Sequence, residues 1–199
     1  MGMITLMVSR LGRGHPEYFR DCFVKLRSFQ LTGYDRVVVV DADAVPLKSL
    51  DFLFTLPFDG PLAAPRAYWL PQPCWTSALL VVRPSRTLWT RLKRSLKIAP
   101  KPNSSEIFAD MELVNREFGS GIHTLPREVF SLNSEWEDVD RPTYFGDMIE
   151  SYSKLSVIHF TALGKPWFYP EARRLRPDPS PRHGMSGIQD ISFSEAINQ

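Results

Sequence analysis

Two carboxylates stand one residue apart at the end of a run of four valines: VVVVDADA places Asp41 and Asp43 directly after Val37–Val40. Like charges that close repel unless something positive lies between them, whether a metal ion, a basic side chain or bulk water. In an extended chain, residues i and i+2 point to one side, so both carboxylates can face one ligand while Ala42 packs away. Their hard oxygens suit Mg2+, Mn2+ or Ca2+. Alone, the pair is equally compatible with a loop bearing two solvated acids. A second group adds to it. The stretch LSVIHFTALGKPW (155–167) ends an apolar run in His159 and puts Lys165 six residues further on, with Gly164 and Pro166 punctuating the loop. An imidazole beside two carboxylates shifts the preference toward Mn2+, and a nearby lysine supplies a point charge for phosphate oxygens. Two acids, a histidine and a lysine make a set suited to a metal-bound diphosphate.

Those residues need elements to position them. The β-branched run Val37–Val40 reads as a strand buried on both faces of an α/β sheet, and ligands gather beyond the carboxyl ends of such strands. Glu17 to Leu31 reads as a helix with Phe19, Phe23, Leu26 and Gln30 near one face, closed by Gly33. Residues 3 to 9 are either a strand or an irregular start. A short helix is expected over Leu50–Leu56 behind Ser49. Strands are expected at Leu62–Ala64, Ser77–Val82, Ile122–Leu125 and Leu155–His159. Helices are expected at Ser85–Lys97, with Leu88, Leu92 and Leu96 in register, and at Ala109–Phe118. Strand and helix alternate, which makes the class α/β. From Pro166 onward proline and arginine dominate, and the pattern fades into a loop or tail.

Composition bounds the rest. A chain of 199 residues, 43% hydrophobic and 12% aromatic, buries one sizeable core. A formal net charge of +2 argues against a nucleic-acid or membrane-surface protein. The clusters Arg91–Arg94 and Arg173–Arg176 read as solvated faces. Cys22 and Cys74 have no zinc-type spacing and form no disulfide framework. No apolar run approaches the ~18 residues of a membrane span, and no basic residue precedes the short apolar start as in a signal peptide.

Four motifs in order resemble those of glycosyltransferase family 8, the group that includes glycogenin and galactinol synthase. They are FVKLRSFQLTGYDRVVVVDADAVPLKSLDFLF, WTSALLVVRPS (75–85), DMELVN (110–115) and HFTALGKPW, and the likeness covers residues from about 19 to 176. The resemblance implies a GT-A fold with a mixed, mostly parallel sheet flanked by helices. It implies one catalytic domain over 1–176 with a proline-rich tail over 177–199. The implied activity is a metal-dependent, retaining transfer of a hexose from a UDP-sugar to a sugar, lipid or protein acceptor, with Mn2+ or alternatively Mg2+. By the same resemblance, Asp41, Asp43 and His159 bind the metal, and Asp110, Lys165 and Lys25 are catalytic. The donor is held by Asp41, Ala42, Asp43, Thr76, Ser77, Asp110, Gly164 and Lys165. Lys165 stabilises charge on the departing UDP, and no enzymic nucleophile is needed if the acceptor attacks from the leaving-group side.

The match has departures. Thr76 stands where the family has asparagine, Ala78 where it has glycine, and Met111 where many members have glutamine. A thioether cannot replace that polar contact, and Thr76 lacks the amide's paired donor and acceptor. The family opens with a strand and helix well before its paired aspartates, whereas 40 residues precede Asp41 here. The chain is therefore expected to lack the front of the catalytic domain and to expose a sheet edge. Cytoplasmic placement is expected if the chain is complete, and a Golgi or secretory one if an anchor precedes it. One rival reading is a truncated, inactive binding protein. Another is a haloacid-dehalogenase-like phosphatase with Asp41 as nucleophile, although such enzymes follow the second aspartate with Gly-Thr rather than Ala44-Val45. Trp69, Trp75, Trp136 and Trp167 are read mainly as packing residues, and alternatively as stacking surfaces for a sugar acceptor.

Overall fold

A computed structural model describes residues 5–8, 22–98, 108–132 and 153–160, with backbone alone for the first four. Its main sheet has five strands in the order β1-β2-β5-β4-β6: β1 Thr5–Val8, β2 Val37–Asp41, β4 Leu62–Ala64, β5 Leu79–Val82 and β6 Ile122–Thr124. Parallel pairing joins β1 to β2 and β4 to β6, while β5 pairs antiparallel with both β2 and β4. Four of the five strands therefore run one way, a mixed and mostly parallel sheet as expected. The inverted strand follows from its connection. The chain leaves β4 and returns as β5 through residues 65–78 with no crossover helix, and a direct return can only be antiparallel.

The valine run faces two cores at once. Val38 and Val40 join Ala63, Leu79 and Val81 on one face, whereas Val37 and Val39 join Leu62, Leu80 and Val82 on the other. Alternation along a pleat sends successive side chains to opposite faces, so a strand buried on both sides can be valine throughout. The start left open between strand and irregular chain is a strand: β1 pairs with β2 from Thr5↔Val38 to Val8↔Asp41 and is the edge of this sheet among the described residues.

Helices cover the second face. The segment Cys22–Gln30 is a 3-10 helix that buries Cys22, Lys25, Leu26 and Phe29. The buried face is turned from the expected one: Gln30 is exposed and Phe23 half-buried, because Leu26 and Phe29 meet Val37, Val39 and Phe118. Residues 17–21 of the expected helix lie outside the described residues. Helix α1, a single turn over Phe52–Thr55, lies instead on the first face, where Leu53 and Phe54 join Val38 and Val40, with Asp51 N–H donating to Ser49 Oγ at 3.1 Å. Helix α2, Arg86–Lys97, packs through Trp89 and Leu92, with Leu88 and Leu96 flanking. Helix α3 is Asp110–Phe118.

A second sheet, which the sequence pattern did not announce, has the order β3-β8-β7: β3 Ala44–Pro46, β7 Phe130–Leu132 and β8 Val157–His159. It packs its apolar side against the face carrying Val38 and Val40. No helix among the described residues is long and apolar enough to cross a membrane.

Candidate active site

The two sheets meet at the paired aspartates. Asp41 is the last residue of β2, the chain turns at Ala42-Asp43, and β3 begins at Ala44. The convergence of the two carboxylates therefore comes from a turn and not from the continued pleat expected from their spacing. Strand β3 runs antiparallel to β8 with Ala44 opposite His159, and Phe160 N–H donates to the Asp43 carbonyl at 2.8 Å. That ladder closes the small sheet onto the turn. It leaves His159 Nε2 3.2 Å from Asp43 Oδ1. One ligand atom each from Asp41, Asp43 and His159 lies within 4.8 Å of the others, so the three could hold a metal ion. Both aspartates are buried, and the His159 side chain is 15% exposed. Two hard oxygens and an imidazole in a shielded corner fit a divalent ion of the Mn2+ or Mg2+ kind. Aromatic rings back the histidine: Phe130 lies 5.8 Å from His159 and 6.4 Å from Trp69, centroid to centroid.

On the opposite face Asp41 meets Lys25. Parity along β2 puts Asp41 on the side of Val37 and Val39, where the 3-10 helix lies. Lys25 Nζ is 2.5 Å from Asp41 Oδ1 and 2.7 Å from Asp110 Oδ2, and its side chain has no solvent exposure. It also donates to the Ser77 carbonyl at 3.3 Å, while the Ser77 hydroxyl donates to Asp110 Oδ2. Burying an ammonium is tolerable when it is paired and hydrogen-bonded in this way. Asp110 opens α3, where a carboxylate is also favoured by the helix dipole.

The remaining expected site residues divide. Thr76 and Ser77 sit just before β5 and are both buried. The Thr76 hydroxyl oxygen accepts the Ala78 N–H at 3.1 Å, and Thr76 N–H donates to the Pro65 carbonyl at 2.9 Å. Ala42 is half-buried in the turn. Gly164 and Lys165 lie outside the described residues, as do Trp136 and Trp167 and the expected tail. Lys25 is linked to Asp41 and Asp110 at once, a role that its expected place among the catalytic residues left out. The clue lay in the sequence: a lysine at a helical position flanked by Cys22, Leu26 and Phe29 must find a carboxylate if buried. Asn115 was also missed, although it stands inside DMELVN.

No family model matches the chain. Its sequence is 30% identical over 191 residues to glucose N-acetyltransferase 1 of Gibberella zeae, covering 89% of this chain and 41% of that protein. Glycogenin-1 of Oryctolagus cuniculus is 28% identical over 145 residues, or 73% of this chain and 41% of its own length. UDP-glucuronate:xylan alpha-glucuronosyltransferase 2 of Arabidopsis thaliana is 28% identical over 146 residues, or 73% and 23%. The chain thus spans less than half the length of these curated relatives. Among solved structures, the bifunctional glycosyltransferase WbbM aligns with a TM-score of 0.59 at 20% identity, covering 78% of this chain and 33% of that one. The galactosyltransferase LgtC aligns at 0.55 and 13%, covering 76% and 63%. The fold is GT-A. Its likeness to glycosyltransferase family 8 is carried by glycogenin-1 and the xylan glucuronosyltransferase. A GT-A fold leaves no place for the dehalogenase-like alternative, which the paired aspartates alone had allowed.

Proposed function

We propose that this chain carries the donor site of a metal-dependent, retaining glycosyltransferase that moves a hexose from a UDP-sugar to a sugar, lipid or protein acceptor. The observation that carries the reading is the meeting of Asp41, Asp43 and His159, drawn from two sheets to within 4.8 Å. Support also comes from the LgtC structure, solved with donor and acceptor sugar analogues, and from the xylan relative whose name gives UDP-glucuronate as donor. Asp41, Asp43 and His159 would hold Mn2+, with Mg2+ as the alternative. A divalent ion held there would supply Lewis-acid stabilisation of a diphosphate leaving group. Lys25 fixes the carboxylates of Asp41 and Asp110. Asp110, shared with the Ser77 hydroxyl, faces the sugar hydroxyls. By the family resemblance, Gly164 and Lys165, which lie outside the described residues, would serve the diphosphate, for which a lysine is a point charge.

The test is calorimetry with UDP, with and without Mn2+. The parent is expected to bind UDP in a Mn2+-dependent manner, and Asp43→Ala to weaken that binding by about tenfold or more, roughly one step of 1.4 kcal/mol. A parent that binds no UDP under any metal condition sinks the reading. One observation favours a second reading, a UDP-sugar-binding protein of low catalytic power. Where the family's donor-facing amide is expected, the Thr76 hydroxyl is committed to its own loop. UDP-sugar hydrolysis separates the two readings: turnover supports the enzyme, and binding without turnover the binding protein.

A further inference from the structure

Helix α3 grips the segment 75–77 at two points. The first is Asp110, which accepts the Ser77 hydroxyl. The second is Asn115, whose amide turns toward Trp75. Asn115 Oδ1 accepts the Trp75 N–H at 2.8 Å, and Nδ2 donates to the Trp75 carbonyl at 2.7 Å and to the Met111 carbonyl at 2.8 Å. An amide that takes both backbone groups of one residue behaves like a strand partner. It sets the position and the rotation of that peptide together. The indole is held from elsewhere: Trp75 Nε1 donates to Thr124 Oγ1 at 2.9 Å, and the Arg66 guanidinium lies 5.8 Å from a ring centroid. Three successive residues are thereby fixed, Trp75 by Asn115, Thr76 by the Pro65 carbonyl and Ser77 by Asp110. The hydrogen bonds of Asn115 go to Trp75 and Met111, whereas Asp110 and the Ser77 carbonyl are tied to Asp41 by the Lys25 ammonium and not by Asn115.

Resting on the proposed function, we infer that Asn115 is a positioning residue for the sugar half of the donor site, and not for its nucleotide half. It sets the register of the segment 75–77 against α3, and thereby where Ser77 and Asp110 stand toward a bound hexose. The uridine diphosphate would be served by the set Asp41, Asp43 and His159, none of which Asn115 holds. Loss of the amide therefore divides the donor's affinity unequally between its two parts.

Two variants test this. Asn115→Asp keeps size and the acceptor for Trp75 N–H, but sets a carboxylate oxygen against the Trp75 and Met111 carbonyls. Asn115→Ser halves the side chain and leaves it without the amide that holds both backbone groups of Trp75. Each is compared with the parent by calorimetry in Mn2+, first with UDP and then with UDP-glucose, UDP-galactose and UDP-N-acetylglucosamine. UDP affinity is expected to stay within about twofold. Affinity for whichever UDP-sugar the parent prefers is expected to fall about tenfold, one decade on the affinity scale. A residue that merely supported the fold would weaken both alike. Equal losses, no loss, a parent that takes UDP but none of the three sugars, or failure of both variants to fold overturns the inference alone. A parent that binds no UDP overturns the glycosyltransferase reading, and this inference with it.

Discussion

Lys25 sits where a charge is hardest to keep. Its ammonium is shared by Asp41 and Asp110, and its side chain has no solvent exposure. Removing one partner of such a group is far worse than replacing the whole group with apolar residues, because an uncompensated charge stays behind. Lys25→Met is therefore expected to lower unfolding stability by roughly 3–5 kcal/mol in a denaturant titration at neutral pH. Adding Asp110→Asn to Lys25→Met is expected to cost less than the two single losses added together, since the groups share partners. A stability loss below about 1 kcal/mol for Lys25→Met would show that the lysine is spare. At this scale the sequence was half legible. The residue types in VVVVDADA and LSVIH pointed to Asp41, Asp43 and His159 because carboxylates and imidazole at strand ends have few other uses together. The pairing of Lys25 with Asp110, and of Asn115 with Trp75, joins residues 85 and 40 positions apart (110 − 25 and 115 − 75). Periodicity carries no information over that distance.

Helices α2 and α3 are joined by a charged seam beside the core. Glu117 accepts the Arg91 Nε–H at 2.9 Å and the Ser95 hydroxyl at 2.6 Å, with Arg116 Nε 3.5 Å away. Burial pushes its carboxyl up, but the Ser95 and Arg91 hydrogen bonds and the two guanidinium charges outweigh it and hold the group below the ordinary glutamate value. A carboxyl depressed in the folded state contributes stability that is fully present above its unfolded pKa and is lost as pH falls through the folded one. Glu117→Gln is accordingly expected to lower stability by about 0.5–1 kcal/mol near pH 7, because Arg91 is largely exposed and its attraction screened. That difference should shrink as the pH drops below 4.5, in thermal melts of both proteins across pH 3 to 7. A gap that widens on acidification would contradict the seam. Elements with long periodic or β-branched patterns, such as Arg86–Lys97 and Val37–Asp41, were read close to their ends. The three-residue strands β3 and β7 were not. Ala44–Pro46 contains a proline and Phe130–Leu132 a serine, and both are strands because β8 lies between them. Pairing, not local preference, decides at that length.

Across the whole molecule, the fold places one aspartate, Asp41, where the faces of the main sheet and the small sheet both need it. Its backbone N–H donates to the Ala78 carbonyl at 2.9 Å, its side chain meets Lys25, and it joins the set with Asp43 and His159. The four residues before it are all valine, and that sameness has a cost. A strand of identical side chains can slide along its neighbours without changing what it buries, so its alignment is degenerate. Strand β1 could meet the run one step out and find valine throughout, whereas β5, which already spans Val37–Val40, would bring Asp41 or Arg36 opposite an apolar residue. What distinguishes one alignment from the next is where the run stops, and the run stops at Asp41. The aspartate is thus the index mark of a sliding scale as well as a member of the proposed metal set. Asp41→Val, which lengthens the run to five, is expected to give doubled amide resonances along β2 and β5 in a heteronuclear NMR spectrum. Asp41→Asn, which still ends the run, is expected to give one set. A single set from both variants would place the mark in the turn at Ala42-Asp43 instead. A chain that marks its alignment with a polar residue at the end of an apolar run cannot trade that residue for one more valine and keep a single alignment.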